Sequence, residues 1–164
     1  MSEPSIYWVR SPLVAQLAVT ARPSRARHFP ALKAAGIDVL VSLLEAAEAE
    51  DVGLGDEAGH CARAGIELLR LPVTDHGIPD TFEAVEEVVR ALSDHLSSGR
   101  GVGAHCYAGL GRSPLLVASV LIHHGHTQPE AIEIVSAARG FVVPEMRTQH
   151  AWLMELERRR DRAL

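Results

Sequence analysis

Apolar and polar positions along this chain fall into short blocks whose spacing switches between that of strands and that of helices. Ile6 to Val9 is a β-branched and aromatic run, and Leu13 to Thr20 is a second strand-like stretch after Ser11-Pro12. Together they predict two opening edge strands. From about Arg25 to Ala35 the residues Phe29, Leu32 and Ala35 recur at helical intervals up to Gly36, with Pro30 near the start, which predicts a short helix. Ile37 to Leu44, apolar apart from Asp38 and Ser42, reads as a buried parallel strand. Asp56 to Ala64 predicts a short helix stopped by Gly65, and Ile66 to Leu71 the next parallel strand, leading into a turn-rich loop. Between Asp80 and Leu96 the residues Phe82, Val85, Val89, Leu92 and Leu96 share one helical stripe, with Glu86, Glu87, Arg90 and Asp94 elsewhere. This is a long crossover helix with Asp80 at its N-cap and Ser97-Ser98-Gly99 at its end. Gly101 to His105 is a short central strand, and from Pro114 to Ile122 the chain is apolar nearly all round, the mark of a core helix. Thr127 and Glu130 form a capping box for a helix to Ala138, ending at Arg139-Gly140. A last helix from about Pro144 or Glu145 to Arg160 turns Met146, Trp152, Leu153 and Leu156 toward the core, and Arg158-Arg159-Arg160 reads as its solvated end. The order of elements predicts an α/β fold with a central, mostly parallel, four- to five-stranded sheet flanked by helices.

Composition narrows the class. The 164 residues are 47% hydrophobic and 23% charged, which fits one globular domain over 1–164 that buries roughly two thirds of its unfolded surface. The longest apolar run, Leu115 to Ile122 with Ser119 inside it, is too short to cross a bilayer, and Met1-Ser2-Glu3-Pro4 lacks a basic segment leading into an apolar one. A soluble, cytoplasmic protein is expected. A net charge of −5 favours neither nucleic acid nor an anionic membrane as partner. Lys33 is the single lysine among 16 basic residues, a compositional bias rather than a phosphate-binding device. Cys61 and Cys106, without a Cys-x-x-Cys, suggest a reducing compartment. Cys61 reads as a small buried residue, or alternatively as a partner that protects an oxidised Cys106 as a disulfide. Six acids, Glu45, Glu48, Glu50, Asp51, Asp56 and Glu57, read as a solvated helix and loop, or as a surface that selects basic partners.

The densest chemistry lies in Gly103-Ala104-His105-Cys106-Tyr107-Ala108-Gly109-Leu110-Gly111-Arg112-Ser113-Pro114, where a cysteine is followed six positions on by an arginine. Five small or apolar residues between them suit a tight loop whose N–H groups point inward, and Gly109 and Gly111 accept backbone angles that a Cβ resists. Such a loop cradles phosphate oxygens. Ser113 as N-cap and Pro114 as first helical residue predict a helix that starts where the loop ends and aims its positive end at the same spot. A thiol in that field, beside Arg112, is expected to ionise more readily than a free cysteine and to act as a nucleophile. Cys61 has no such company, since Glu67 stands six residues on.

At these residues the chain resembles the cysteine-dependent protein tyrosine phosphatase superfamily, whose signature is His-Cys, five residues, Arg, then Ser or Thr, and within it the compact dual-specificity branch. The resemblance implies a phosphatase-like fold and hydrolysis of phosphate monoesters through a phosphocysteine, without metal or other cofactor. It makes Cys106 the nucleophile, Arg112 the bidentate phosphate ligand, Ser113 the hydroxyl that steadies the departing thiolate, and His105 the residue that orients the loop. Tyr107, Ala108, Gly109, Leu110 and Gly111 would bind phosphate together with Arg112. In element order the resemblance runs from Leu40 to Gln149. Pro114 departs from it, standing where a glycine is common, and the lysines that phosphoinositide-directed relatives carry between Cys and Arg are missing. A phosphorylated protein or a small phosphomonoester is the implied substrate. The alternative is a phosphate-recognising module of the same fold without turnover.

A carboxylic acid belongs to this chemistry, because the leaving oxygen must be protonated as the P–O bond breaks. Pro72-Val73-Thr74-Asp75-His76-Gly77-Ile78-Pro79 follows a predicted strand, on the side where ligands bind in an open α/β sheet. Asp75 lies 31 positions before Cys106 and takes that role, while Asp80 is assigned to the helix cap. The stretch is similar to the acid loop of the kinase-associated and cell-cycle dual-specificity enzymes. The resemblance also points to Gln149, as a residue placing the hydrolytic water, and to Arg139, packing under the loop; a surface glutamine and a helix-terminal arginine are the plainer readings of both. His123, His124 and His126 read as a helix end whose dipole favours imidazolium rather than as a metal site.

Overall fold

Five strands in one sheet organise residues 3–164, the part of the chain that the structure, a computed structural model, describes. The strands β1 (Ile6–Trp8), β2 (Leu17–Thr20), β3 (Val39–Ser42), β4 (Glu67–Arg70) and β5 (Val102–His105) lie in the order β1-β2-β5-β3-β4. β1 runs antiparallel to β2, and the other four strands are parallel. Seven helices accompany them: α1 (His28–Ala34), α2 (Ala46–Asp51), α3 (Glu57–Ala64), α4 (Phe82–Ser97), α5 (Arg112–His123), α6 (Gln128–Arg139) and α7 (Arg147–Ala163).

Successive side chains of a strand face opposite ways, and β3 shows what that does here. Val39 and Val41 join a core with Val89 of α4, Leu116 of α5, Val135 of α6 and Leu153 of α7, whereas Leu40 turns to a second core with Phe29 and Leu32 of α1 and Cys61 of α3. The sheet is therefore covered on both faces. α5 is buried from Arg112 to Ile122, as its all-round apolar sequence predicts.

Several local expectations need correction. β2 is not an edge strand: it pairs with β1 on one flank and β5 on the other, and all four of its residues are buried. A run without a solvent-facing polar position suits the sheet interior, and Gln16, at φ 60, ends the extended stretch before it reaches Leu13. The cap of α4 is Thr81 rather than Asp80; its extended backbone lets Oγ1 accept from the Ala84 N–H at 3.1 Å. α5 starts two residues earlier than expected, with Gly111 at the N-cap, so Ser113 and Pro114 lie inside its first turn. Pro114 is tolerated there because first-turn N–H groups have no intrahelical partner in any case. Met146 precedes α7 and is partly exposed, while Trp152, Leu153 and Leu156 are buried.

The arginine tail is not simply solvated. Arg159 reaches Glu86 at 2.8 Å and lies over the Phe82 ring, and Arg160 donates to the carbonyls of Ile122 and His126 at 2.7 and 2.6 Å. Arg160 thus supplies the positive charge at the C-terminal end of α5. His124 does not: burial, with His123 and His126 beside it, pushes its imidazole below the ordinary value. His126 is held between Ser11 Oγ (2.7 Å) and Glu130 Oε2 (3.2 Å). Among the described residues no three His, Cys, Asp or Glu side chains are grouped to hold a metal, and no helix is long and apolar enough to cross a membrane.

Parallel strands bring their C-terminal ends to one side of a sheet. Here that side receives Arg22 after β2, Glu48 after β3, Asp75 after β4 and Cys106 after β5.

Candidate active site

The loop between β5 and α5 turns back on itself within a few residues, and its shape depends on two glycines. Gly109 has φ 72, in the left-handed region. At Gly111 a Cβ would stand 3.0 Å from Nε2 of the buried Gln149, so the amide would have to give by a few tenths of an ångström. The loop carbonyls are tied back from outside. Arg22 Nη1 donates to Tyr107 O (2.7 Å), Arg139 Nε to Gly109 O (2.8 Å), and the Glu145 N–H to Leu110 O (2.8 Å). Among the described residues no hydrogen bond takes up the N–H groups of 107–111. A ring of donors with its acceptors turned away is an anion nest.

Cys106 lies at the bottom of this nest, 3% exposed, with Sγ 3.1 Å from Ser113 Oγ in the first turn of α5. A cleft of about 250 Å³ opens above it, lined by Asp75, His76, Tyr107, Ala108, Leu110, Gly111, Arg112 and Glu145. His105, fully buried behind the loop, has Nε2 2.5 Å from Glu57 Oε2 and Nδ1 3.5 Å from Cys106 O. Each ring nitrogen thus faces an oxygen, which fixes the orientation of the ring behind the loop.

Arg112 is 2% exposed and donates four times: to Glu48 Oε1 and Oε2 at 2.7 and 2.8 Å, to Val73 O at 2.9 Å and to Asp75 Oδ1 at 3.1 Å. Burial opposes its charge, but Glu48, Cys106 and Asp75 hold its pKa above the ordinary value. The same hydrogen bonds keep the Glu48 carboxyl below the ordinary carboxylate value in spite of burial. The forked pairing fixes the plane of the guanidinium and so the direction of its remaining donors. Asp75, half exposed, also accepts the His76 N–H at 3.0 Å.

The residues picked out in the sequence therefore meet. Cys106, Arg112, Ser113 and Asp75 surround one cleft, with the 107–111 loop between them and His105 behind. Arg139 packs under the loop, its guanidinium 4.2 Å from the centre of the Tyr7 ring. Gln149 is fully buried rather than on the surface, with Nε2 donating to Gly77 O (3.0 Å) and Oε1 accepting the Met146 N–H (3.1 Å). Sequence reasoning missed Glu48, Glu57, Arg22 and Glu145. The first two sit in the run of acids read as solvated, yet Glu57 is 1% exposed and Glu48 is spent on Arg112. Cys61 packs in the opposite core from Cys106; both thiols are free, and burial together with Glu57 pushes the Cys61 thiol up to about 12.

A family model described as "Polymorphic toxin system, DSP-PTPase phosphatase" matches residues 18–126, from β2 past the end of α5. Protein tyrosine phosphatase PRL-1 of Leishmania major is 30% identical over 108 residues, which cover 60% of this chain and 60% of that protein. The chain spans about half the length of the curated relatives it matches. Among solved structures, kinase associated phosphatase with its catalytic-site cysteine replaced by serine superposes with a TM-score of 0.87 at 22% identity over 99% of both chains, a likeness of fold. Tk-PTP in its active form superposes with a TM-score of 0.79 at 28% identity, over 94% of this chain and 97% of that one.

Proposed function

Since this chain belongs to the DSP-PTPase phosphatase family, within the cysteine-dependent protein tyrosine phosphatase superfamily, we propose that it hydrolyses phosphate monoesters through a phosphocysteine. Phosphorylated proteins or small phosphomonoesters are its substrates, 1–164 act as one catalytic domain, and a reducing, cytoplasmic compartment keeps Cys106 a free thiol. Cys106 Sγ attacks phosphorus in line, and the S–P bond forms as the ester P–O bond breaks. Asp75 gives its proton to the departing oxygen. Arg112 and the N–H groups of 107–111 hold the three equatorial oxygens, where charge is greatest in the transition state. Phosphate entering the cleft takes over the Arg112 Nη2 donor that Asp75 accepts from, which frees the carboxyl to turn to the ester oxygen. Water then attacks the phosphocysteine and passes a proton to Asp75 as the S–P bond breaks. The Ser113 hydroxyl donates to the leaving sulfur, and inorganic phosphate departs.

One observation carries the reading: a buried sulfur, 3.1 Å from a hydroxyl, under a nest whose carbonyls are tied back and whose N–H groups are free, beside a buried arginine. A module that only recognises phosphate has no use for a carboxyl at 3.1 Å from that arginine, which supports turnover over binding alone. The test is hydrolysis of p-nitrophenyl phosphate with chelator present. Wild type is expected to turn over, Cys106→Ser to fall to background while still binding inorganic phosphate, and Asp75→Asn to lose most of its rate. A wild type that leaves every phosphomonoester intact would overturn the proposal.

A further inference from the structure

We propose that His76 and Glu145 form a latch that positions Asp75, and that both act as positioning residues in the reaction proposed above, on which this inference rests. Asp75 sits in a loop without regular structure between β4 and α4, and its side chain is half exposed. Its strongest tie is the bond from Arg112 Nη2, at 3.1 Å, and phosphate competes for that donor. Something else has to hold the acid once substrate is bound.

His76 is placed to do so. Its backbone adopts φ 61, a left-handed conformation uncommon for residues other than glycine though more frequent for His than for most. In that conformation the N–H donates to Asp75 Oδ1 at 3.0 Å, while the ring spans two carboxylates, Nε2 lying 3.5 Å from Asp75 Oδ2 and Nδ1 3.3 Å from Glu145 Oε1. Glu145 is itself fixed to the phosphate loop, because its N–H donates to Leu110 O at 2.8 Å. The path Leu110–Glu145–His76–Asp75 therefore refers the acid to the nest by a route that does not pass through Arg112. These side chains are 37% to 61% exposed, so the contacts add little to stability. Their effect is on where Asp75 stands, and proton transfer is sensitive to displacements of an ångström or less.

A misplaced acid harms esters in proportion to their need for a proton. Activated esters such as 2,4-dinitrophenyl phosphate expel a stable anion, whereas phenyl phosphate expels a basic one. Glu145→Gln and His76→Asn, the latter keeping a residue that tolerates positive φ, are assayed on both esters beside wild type. Neither touches the main-chain bond to Leu110, so inhibition by inorganic phosphate reports on the nest. The expected result is a loss of kcat/KM, which reports the steps up to P–O cleavage, at least tenfold larger on phenyl phosphate than on the dinitrophenyl ester, with inhibition by inorganic phosphate within about twofold of wild type. Equal losses of kcat/KM on both esters, or no loss on either, in Glu145→Gln would overturn the latch. Wild-type turnover of the dinitrophenyl ester tests the underlying phosphatase reading separately.

Discussion

The two ends of α5 solve the same problem in opposite ways. Every helix leaves N–H groups without partners at its start and carbonyls without partners at its finish. At the C-terminal end of α5 the chain provides for them: the N–H groups of His124, Gly125 and His126 donate to Val120 O, Ile122 O and Leu121 O, Arg160 adds a side-chain bond to Ile122 O, and Gly125, at φ 115, turns the chain away. At the N-terminal end Gly111 offers no side-chain cap, and the preceding loop has its carbonyls tied back but its N–H groups free. A buried helix end that the protein leaves open is an anion site; an end it closes with an arginine is architecture. The contrast separates residues that serve stability from residues that serve chemistry, although both kinds are buried and charged.

Substitutions can break that contrast, beginning where the effect is largest. Arg112→Lys keeps the charge but loses the fork toward Glu48 and phosphate, and kcat should drop about a hundredfold to a thousandfold with the fold retained. A loss under tenfold in steady-state kinetics would mean the guanidinium is not at the reacting centre. Glu57→Leu leaves His105 buried without its partner, and denaturant titration should show a loss of about 3 kcal/mol; wild-type stability in the variant would mean the pair is not a support of the loop. Arg160→Met removes the donor from His126 O and one of two donors from Ile122 O, which keeps the Gly125 N–H at 3.0 Å, and should cost about 1 kcal/mol by the same titration, with turnover unaltered. If turnover fell with it, the division between the two ends would fail.

The smallest effect is one of pH. Arg112 holds the Glu48 carboxyl below its ordinary value near 4.5, so ionised Glu48 stabilises the folded state above that value and the contribution is lost as pH falls through the folded pKa. The stability difference between wild type and Glu48→Gln should be full at neutral pH and shrink in acid. A difference that grows as pH falls would contradict the pairing.

How much of this was legible in the sequence follows from the range of the interactions. β3, α4 and α5 were readable because burial on both faces, on one stripe or all round writes itself into local spacing. The neighbourhood of Cys106 and Arg112 was readable because a loop of five residues keeps its chemistry contiguous. Glu48 and Glu57 were not, since what draws them inward lies 64 and 48 positions away, in Arg112 and His105, while their own neighbours are alanines and acids typical of a solvated face. The placement of β2 failed for a similar reason: whether a strand is an edge depends on which partners arrive later, and β5 arrives some 80 residues on. Gln149 was a two-way reading that only its contacts with Gly77 and Met146 separate from a surface position.

The central claim is that Cys106 sulfur bonds to phosphorus during turnover. Rapid acid quench of wild type with an aryl phosphate, followed by intact-mass and peptide mapping, tests it directly. The account predicts one phosphoryl group, found on the peptide carrying Cys106 and missing in Cys106→Ser. A phosphoryl group on another residue, or steady hydrolysis with no labelled protein at any quench time and undiminished turnover in Cys106→Ser, would contradict it.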